Sequence, residues 1–209
     1  MEQEIYNLRS KSLVQSPKVL AIGSSTGGLK ALIKLFSSLN DCIIDIPILI
    51  TQHLPQNFDS SFADKISSAG SISCKVVQDG DIVENGKAYI APAGFHMLVK
   101  EQGNQKVIKL EDSPPINFCR PAVDPMLESI AEVYGKNVFC LILTGIGHDG
   151  RKGCRKIVEK GGTVIAQDKE TSVVWGMPAA VAEAGLCTQI LPLDDMPEFL
   201  KDYSYGKIR

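Results

Sequence analysis

Four short runs of the chain are apolar nearly throughout: residues 18–22 (KVLAI), 46–51 (IPILIT), 138–144 (VFCLILT) and 162–166 (GTVIA). Each is bounded by Gly, Pro or polar turn residues. Runs without a polar face suit parallel strands that are covered by helices on both sides. Helical spacing lies between them. Residues 29–39 (LKALIKLFSSL) bring Leu29, Leu32, Ile33, Leu35 and Phe36 onto or near one face, and 124–134 (DPMLESIAEVY) and 150–160 (GRKGCRKIVEK) alternate apolar and charged positions similarly. Strand and helix in alternation predict an α/β fold: a doubly wound, mostly parallel sheet with helices on both faces. Residues 72–110 break this rhythm. Their short extended segments, interrupted by Asp79-Gly80, Asn85-Gly86 and Ala93-Gly94, predict small strands and a β-hairpin insert in or along the edge of the sheet.

Residues 1–17 are polar, end at Pro17 and read as a flexible leader or linker remnant, leaving 18–209 as one domain. With 209 residues, 44% of them hydrophobic, the chain is long enough for one well-filled core. A net charge of -2 lacks the cationic footprint that nucleic-acid binding needs. The most apolar stretches, 42–50 (CIIDIPILI) and 138–144, fall well short of the roughly 20 residues that cross a bilayer, and the N-terminus has no apolar secretory core. A cytoplasmic protein with no membrane insertion is expected. The six cysteines (Cys42, Cys74, Cys119, Cys140, Cys154 and Cys187) form no CxxC pair and read as reduced, structural thiols.

The chemistry concentrates first in residues 19–28 (VLAIGSSTGG), where a strand runs into a glycine-rich turn. Gly23 and Gly28 have P-loop spacing, but Leu29 stands where the phosphate-binding lysine would be. A dinucleotide fingerprint fails because Ser25 occupies its second glycine. GxSxG fits: glycines two residues either side of Ser25 permit the tight strand-to-helix turn that projects a nucleophilic hydroxyl. Alternatively, Ser24, Ser25 or Thr26 merely caps the helix starting near Gly28.

A serine nucleophile needs a base, and the chain has three histidines. His53, in ITQHLP, follows the second apolar strand and so shares the carboxyl edge of a parallel sheet with Ser25. Asp149, in LTGIGHDG, follows the third predicted strand at the same edge and would hold the imidazole; its alternative role is the N-cap of the helix it precedes. His148 ranks below His53 because adjacent residues point apart, and His96 belongs to the hairpin region, where local packing or hydrogen bonding is expected. No His or Cys spacing matches a zinc-ligand pair, so no metal is expected.

Six motifs in order, AIGSSTGG, ITQHLP, AYIAPAGFHM, CRPAVDPM, LTGIGHDG and TVIAQDKETSVVWGMP, resemble the chemotaxis protein-glutamate methylesterases of the CheB type over roughly residues 18–200. The resemblance implies Ser25 as nucleophile, His53 as base and Asp149 as orienting acid, with Thr26 and the backbone at Ile146 beside the oxyanion. It implies hydrolysis of glutamyl methyl esters, and in many members glutamine deamidation, on methylated chemoreceptor helical domains, without a cofactor. Such enzymes usually carry an N-terminal receiver domain, whereas about 17 residues precede the first predicted strand here. Arg120 either contacts acidic groups beside the target glutamate or forms a structural salt bridge. Thr171, Ser172, Trp175 and Met177 lie in a family-like stretch without a derivable role. The rival readings are another serine esterase or amidase using the same three residues, and a nucleotide-binding module built on the glycine turn.

Overall fold

The apolar runs assemble into a single sheet in the computed structural model, which describes residues 6–10, 17–53, 61–203 and 208. The first half of the chain contains β1 (Val19–Ser24), α1 (Gly28–Ser37), β2 (Ile48–Gln52), α2 (Ser61–Ala69), β3 (Ser73–Val76) and β4 (Lys87–Ile90). A hairpin, β5 (His96–Gln102) and β6 (Gln105–Glu111), follows. The second half contains α3 (Val123–Tyr134), β7 (Val138–Ile142), α4 (Arg151–Glu159), β8 (Thr163–Gln167), α5 (Met177–Glu183), β9 (Gln189–Leu191) and α6 (Met196–Tyr203).

The seven-stranded sheet runs β3-β4-β2-β1-β7-β8-β9, with every pair parallel. β1, β2, β7 and β8 are buried at every position, as their two apolar faces require. Alternate residues feed opposite cores. Val19 and Ala21 join Met126, Leu127 and Ile130 of α3, Cys154 and Ile157 of α4 and Val181 of α5, whereas Leu20 and Ile22 join Leu32, Leu35 and Phe36 of α1, Phe62 and Ile66 of α2 and Leu200 of α6. Helices therefore cover both faces.

The hairpin insert is present: β5 and β6 pair antiparallel and pack Met97, Val99 and Ile108 into the α3-side core. Its two-residue turn is Gly103–Asn104, with Gly103 at φ 60. The dipeptides read as hairpin signals lie elsewhere. Gly80, Gly86 and Gly94 do adopt positive φ, but the first two lie between β3 and β4, which run parallel in the main sheet. Within the stretch read as a leader, Tyr6 meets the Trp175 ring edge-on at 6.3 Å and the Arg9 N–H donates to the Cys187 carbonyl at 2.9 Å; residues 1–5 and 11–16 lie outside the described residues.

Strand order reverses at β1. From there the chain moves outward through β2, and after the hairpin and α3 it returns to β7 on the other side. In open α/β sheets such a switch point leaves a crevice outside the carboxyl ends of the strands. Ser25 follows β1, His53 follows β2 and Asp149 lies in the loop after β7, so all three predicted site residues border this crevice.

Candidate active site

Register brings the first two together. β1 and β2 pair Ser24 with Gln52, making Ser25 and His53 the next residues on each strand. The His53 N–H donates to the Ser24 carbonyl and the Ser25 N–H to that of Thr144, both at 3.0 Å. The Ser25 carbonyl accepts the Gly28 N–H at 2.8 Å, closing the turn. Gln52 clamps both loops: its Oε1 accepts the Ser24 hydroxyl at 2.7 Å, and its Nε2 donates to the carbonyls of Ser25 at 2.8 Å and His53 at 2.9 Å.

The capping alternative for the serines fails. Helix α1 has Gly27 as N-cap, at φ 84, and no side chain caps it. The Ser25 side chain is half-buried, and among the described residues its hydroxyl forms no hydrogen bond. The glycines have local work. A Cβ on Gly28 would run into Gln52 Oε1 and the Ser24 side chain, and one on Gly145 would lie 2.7 Å from Ser25 Cβ, so the Gly145 backbone closes in on Ser25 and the Gly28 backbone on Ser24 where no side chain fits.

Asp149 is 2% exposed, and its carboxylate accepts five hydrogen bonds. Oδ2 accepts His53 Nε2 at 2.7 Å and the Val123 N–H at 2.6 Å; Oδ1 accepts the N–H groups of Gly150 (2.9 Å) and Asp124 (3.1 Å) and Asn117 Nδ2 (3.0 Å). Asp149 does not cap its own helix α4, whose N-cap is Gly150. It satisfies the first N–H groups of α3 instead, while Asp124 in α3 accepts the Gly153 N–H of α4 at 2.9 Å. The two helix starts cap each other. Asn117 spans both carboxylates, donating to Asp124 Oδ2 at 3.0 Å as well.

Electrostatics follow from these bonds. Burial opposes charge on the Asp149 carboxylate, but the hydrogen bonds from His53 and Val123 and the imidazole charge hold its pKa below 3.8. Asp124 moves the other way, raised first by burial and then by the neighbouring Asp149 charge. Burial also disfavours the His53 cation, yet the hydrogen bonds and charges of Asp149 and Cys119 outweigh it and raise the pKa from 6.5 to about 9. With Nε2 bonded to Asp149, Nδ1 is the nitrogen left for chemistry; Cys119 Sγ lies 3.4 Å from it.

The other predicted residues divide. The Thr26 carbonyl accepts the Thr144 hydroxyl at 2.9 Å, its residue being exposed, and Ile146 follows Gly145 with 62% exposure. The Arg120 guanidinium pairs with Asp112 and donates to the Ser113 carbonyl at 3.0 Å, as in the salt-bridge alternative. His96 is fully buried, its Nδ1 accepting the Ala122 N–H at 3.1 Å and its Nε2 donating to the Pro114 carbonyl at 3.2 Å. His148 is exposed. The 171–177 stretch braces the site: Val174 exchanges bonds with Thr144 and Gly145, and Met177 packs beneath Gly145. Gln52, Asn117, Cys119 and Asp124 stand in the site without having been singled out; a glutamine ending an apolar strand was the one visible signal.

A doubly wound α/β domain with a glycine-bound serine and a buried histidine–aspartate pair at its switch point defines a hydrolase-like class of protein. The sequence profile described as CheB methylesterase matches residues 20–200, and the chain belongs to that family. It is 48% identical over 186 residues to protein-glutamate methylesterase/protein-glutamine glutaminase 1 of Paramagnetospirillum magneticum, covering 89% of this chain and 49% of that protein. It is 50% identical to the corresponding group 2 operon protein of Rhodospirillum centenum, covering 88% and 46%. The crystal structure of the Thermotoga maritima CheB methylesterase catalytic domain superposes with a TM-score of 0.85 at 42% identity, covering 90% of this chain and 99% of that one. The chain spans about half the length of the curated relatives it matches.

Proposed function

We propose that this chain is the catalytic unit of a protein-glutamate methylesterase and protein-glutamine glutaminase, with methylated chemoreceptor helical domains as substrate. The observation that supports the reading is the imidazole of His53, tied through Nε2 to buried Asp149, on the residue that β1–β2 register sets beside Ser25. Nδ1 accepts the Ser25 proton as the hydroxyl attacks the ester carbonyl, and returns it to methanol as the C–O bond breaks. Water then attacks the acyl-enzyme, His53 takes its proton and passes it to Ser25, and the glutamate carboxylate departs. On a glutamine the leaving group is ammonia.

The N-terminus of α1, beginning three residues past Ser25, favours the developing oxyanion, with Thr26 and the backbone at Ile146 beside it. Arg120, engaged by Asp112, is left out of this assignment. No cofactor takes part. The unmatched half of the relatives leaves room for a receiver domain outside this chain, and a cytoplasmic location accompanies the reading; among the described residues no helix is long and apolar enough to cross a membrane. The nucleotide-binding alternative is disfavoured because Gly28 is filled by Gln52 and Ser24 rather than left open to a phosphate.

Methanol release from a methylated receptor domain tests the proposal. Ser25→Ala is expected to lower turnover by roughly 10⁴- to 10⁶-fold. Unchanged turnover would remove Ser25 from the chemistry.

A further inference from the structure

Between the hairpin and α3 the chain folds back on itself, with Ile116 and Cys119 exchanging two backbone hydrogen bonds at 3.0 and 2.9 Å. The two residues between them, Asn117 and Phe118, have φ values of 51 and 64. Positive φ at both central positions is the type I′ pattern, which asparagine tolerates first and glycine prefers second. A bulky aromatic residue in the second position is a backbone outlier, and Phe118 is also 103% exposed. An aromatic ring wholly in water on a strained backbone has two unfavourable features, and no contact among the described residues compensates them.

Its mount is rigid. Asn117 is pinned to Asp149 and Asp124, and Cys119 lies against Nδ1 of His53, so the ring is presented at the lip of the catalytic crevice. Two further apolar side chains stand on the serine side. Ile146, 62% exposed, follows the glycine that touches Ser25, and Val173, 63% exposed, lies against Gly27. Three separate loops thus surround the nucleophile and base with exposed apolar groups.

We infer that Phe118 is a docking anchor for the polypeptide carrying the target side chain: its ring enters an apolar hollow on the protein substrate beside the methyl ester, with Ile146 and Val173 closing the contact. The inference rests on the methylesterase reading, and it follows from strain and exposure kept next to the chemistry. The occupant is the protein substrate because the ring is continuous with the catalytic crevice and the relatives are named for activity on proteins. A small ester lacks the surrounding polypeptide that the ring would engage, so Phe118 governs protein affinity and leaves bond-breaking alone.

The test compares wild type, Phe118→Gly and Phe118→Leu in methanol release from a methylated receptor domain and from a small blocked glutamyl methyl ester. Glycine suits the turn, so Phe118→Gly keeps the site geometry while removing the ring. Phe118→Gly is expected to raise KM for the protein about tenfold or more with kcat retained, to leave both constants for the small ester unchanged, and to be partly rescued by leucine. Equal KM on the protein overturns the inference, as does an equal loss on both substrates. If wild type cleaves neither substrate, the methylesterase reading falls, and binding of Ser25→Ala with and without Phe118→Gly to the methylated domain decides the anchor: lost binding upholds it, while unchanged or undetectable binding overturns it. A change in oligomeric state caused by Phe118→Gly, read by light scattering, would assign the ring to a second copy and also overturn it.

Discussion

Replacing Asp149 by asparagine keeps the shape of the side chain but exchanges one acceptor oxygen for an NH₂ group. If the NH₂ takes the Oδ1 side, it faces three donors: the N–H groups of Gly150 and Asp124 and the Asn117 amide. If it takes the Oδ2 side, it faces the Val123 N–H and His53 Nε2. A stranded buried donor costs about 1–3 kcal/mol, so the second orientation wins by several kcal/mol: it strands Val123 alone, provided His53 presents an unprotonated Nε2. That condition moves the imidazole proton to Nδ1, the nitrogen that accepts the Ser25 proton in the proposed mechanism. We therefore expect Asp149→Asn to lose about 2–4 kcal/mol of stability in urea unfolding at neutral pH, from one stranded donor and the lost ion pair. Turnover in methanol release should fall roughly 10³- to 10⁴-fold through the wrong tautomer. Nitrogen-15 NMR of the His53 ring reads the tautomer directly. A folded variant with Nδ1 protonated and turnover within tenfold of wild type would refute this account.

Catalysis by neutral His53 should rise with pH through neutrality toward about 9, because the folded imidazole titrates there rather than at 6.5; kcat/KM from pH 5 to 10 measures the limb. Cys119→Ala removes one of the interactions that raise this pKa, so its limb should move toward 6.5, and an unmoved limb would exclude the thiol as a cause. The same shift enters stability: the His53 pairing contributes fully below 6.5 and fades as pH rises through about 9. Asp149, held below its ordinary value, contributes fully above 3.8 and loses that contribution as pH falls through its folded pKa. Urea midpoints across both ranges check the signs. Thr188 is 3% exposed and its hydroxyl has no partner among the described residues, so Thr188→Val should leave the urea midpoint unchanged or raise it; a loss above about 1 kcal/mol would reveal a hydroxyl partner.

What could be read from the sequence was set by constraints that act locally. β1, β2, β7 and β8 announced themselves because both of their faces are buried, whereas β3, with alternate residues exposed, and β9, three residues long and half-buried, carry too little apolar signal. The serine turn was legible because its glycines answer needs printed in the sequence itself: positive φ at Gly27 and room for none but hydrogen at Gly28. Asn117, Cys119 and Asp124 were not, since each acts on a residue 25 to 66 positions away, where only the folded register creates the contact.

Asp149 shows why local reading stops short of what a residue does in the fold. A carboxylate just before a helix reads as that helix's cap, yet the first-turn N–H groups it accepts are those of α3, and α4 is capped in return by Asp124. The exchange requires the two helix starts to lie side by side, and Gly153 permits it: a Cβ there would come within 2.5 Å of Leu127 and 2.9 Å of the Asp124 carbonyl. The bonds that satisfy the start of α3 are also those that keep Asp149 charged and aimed at His53. Helix pairing and the orientation of the imidazole are thus one set of hydrogen bonds, and a substitution that separates α3 from α4 should disable the site before it unfolds the sheet.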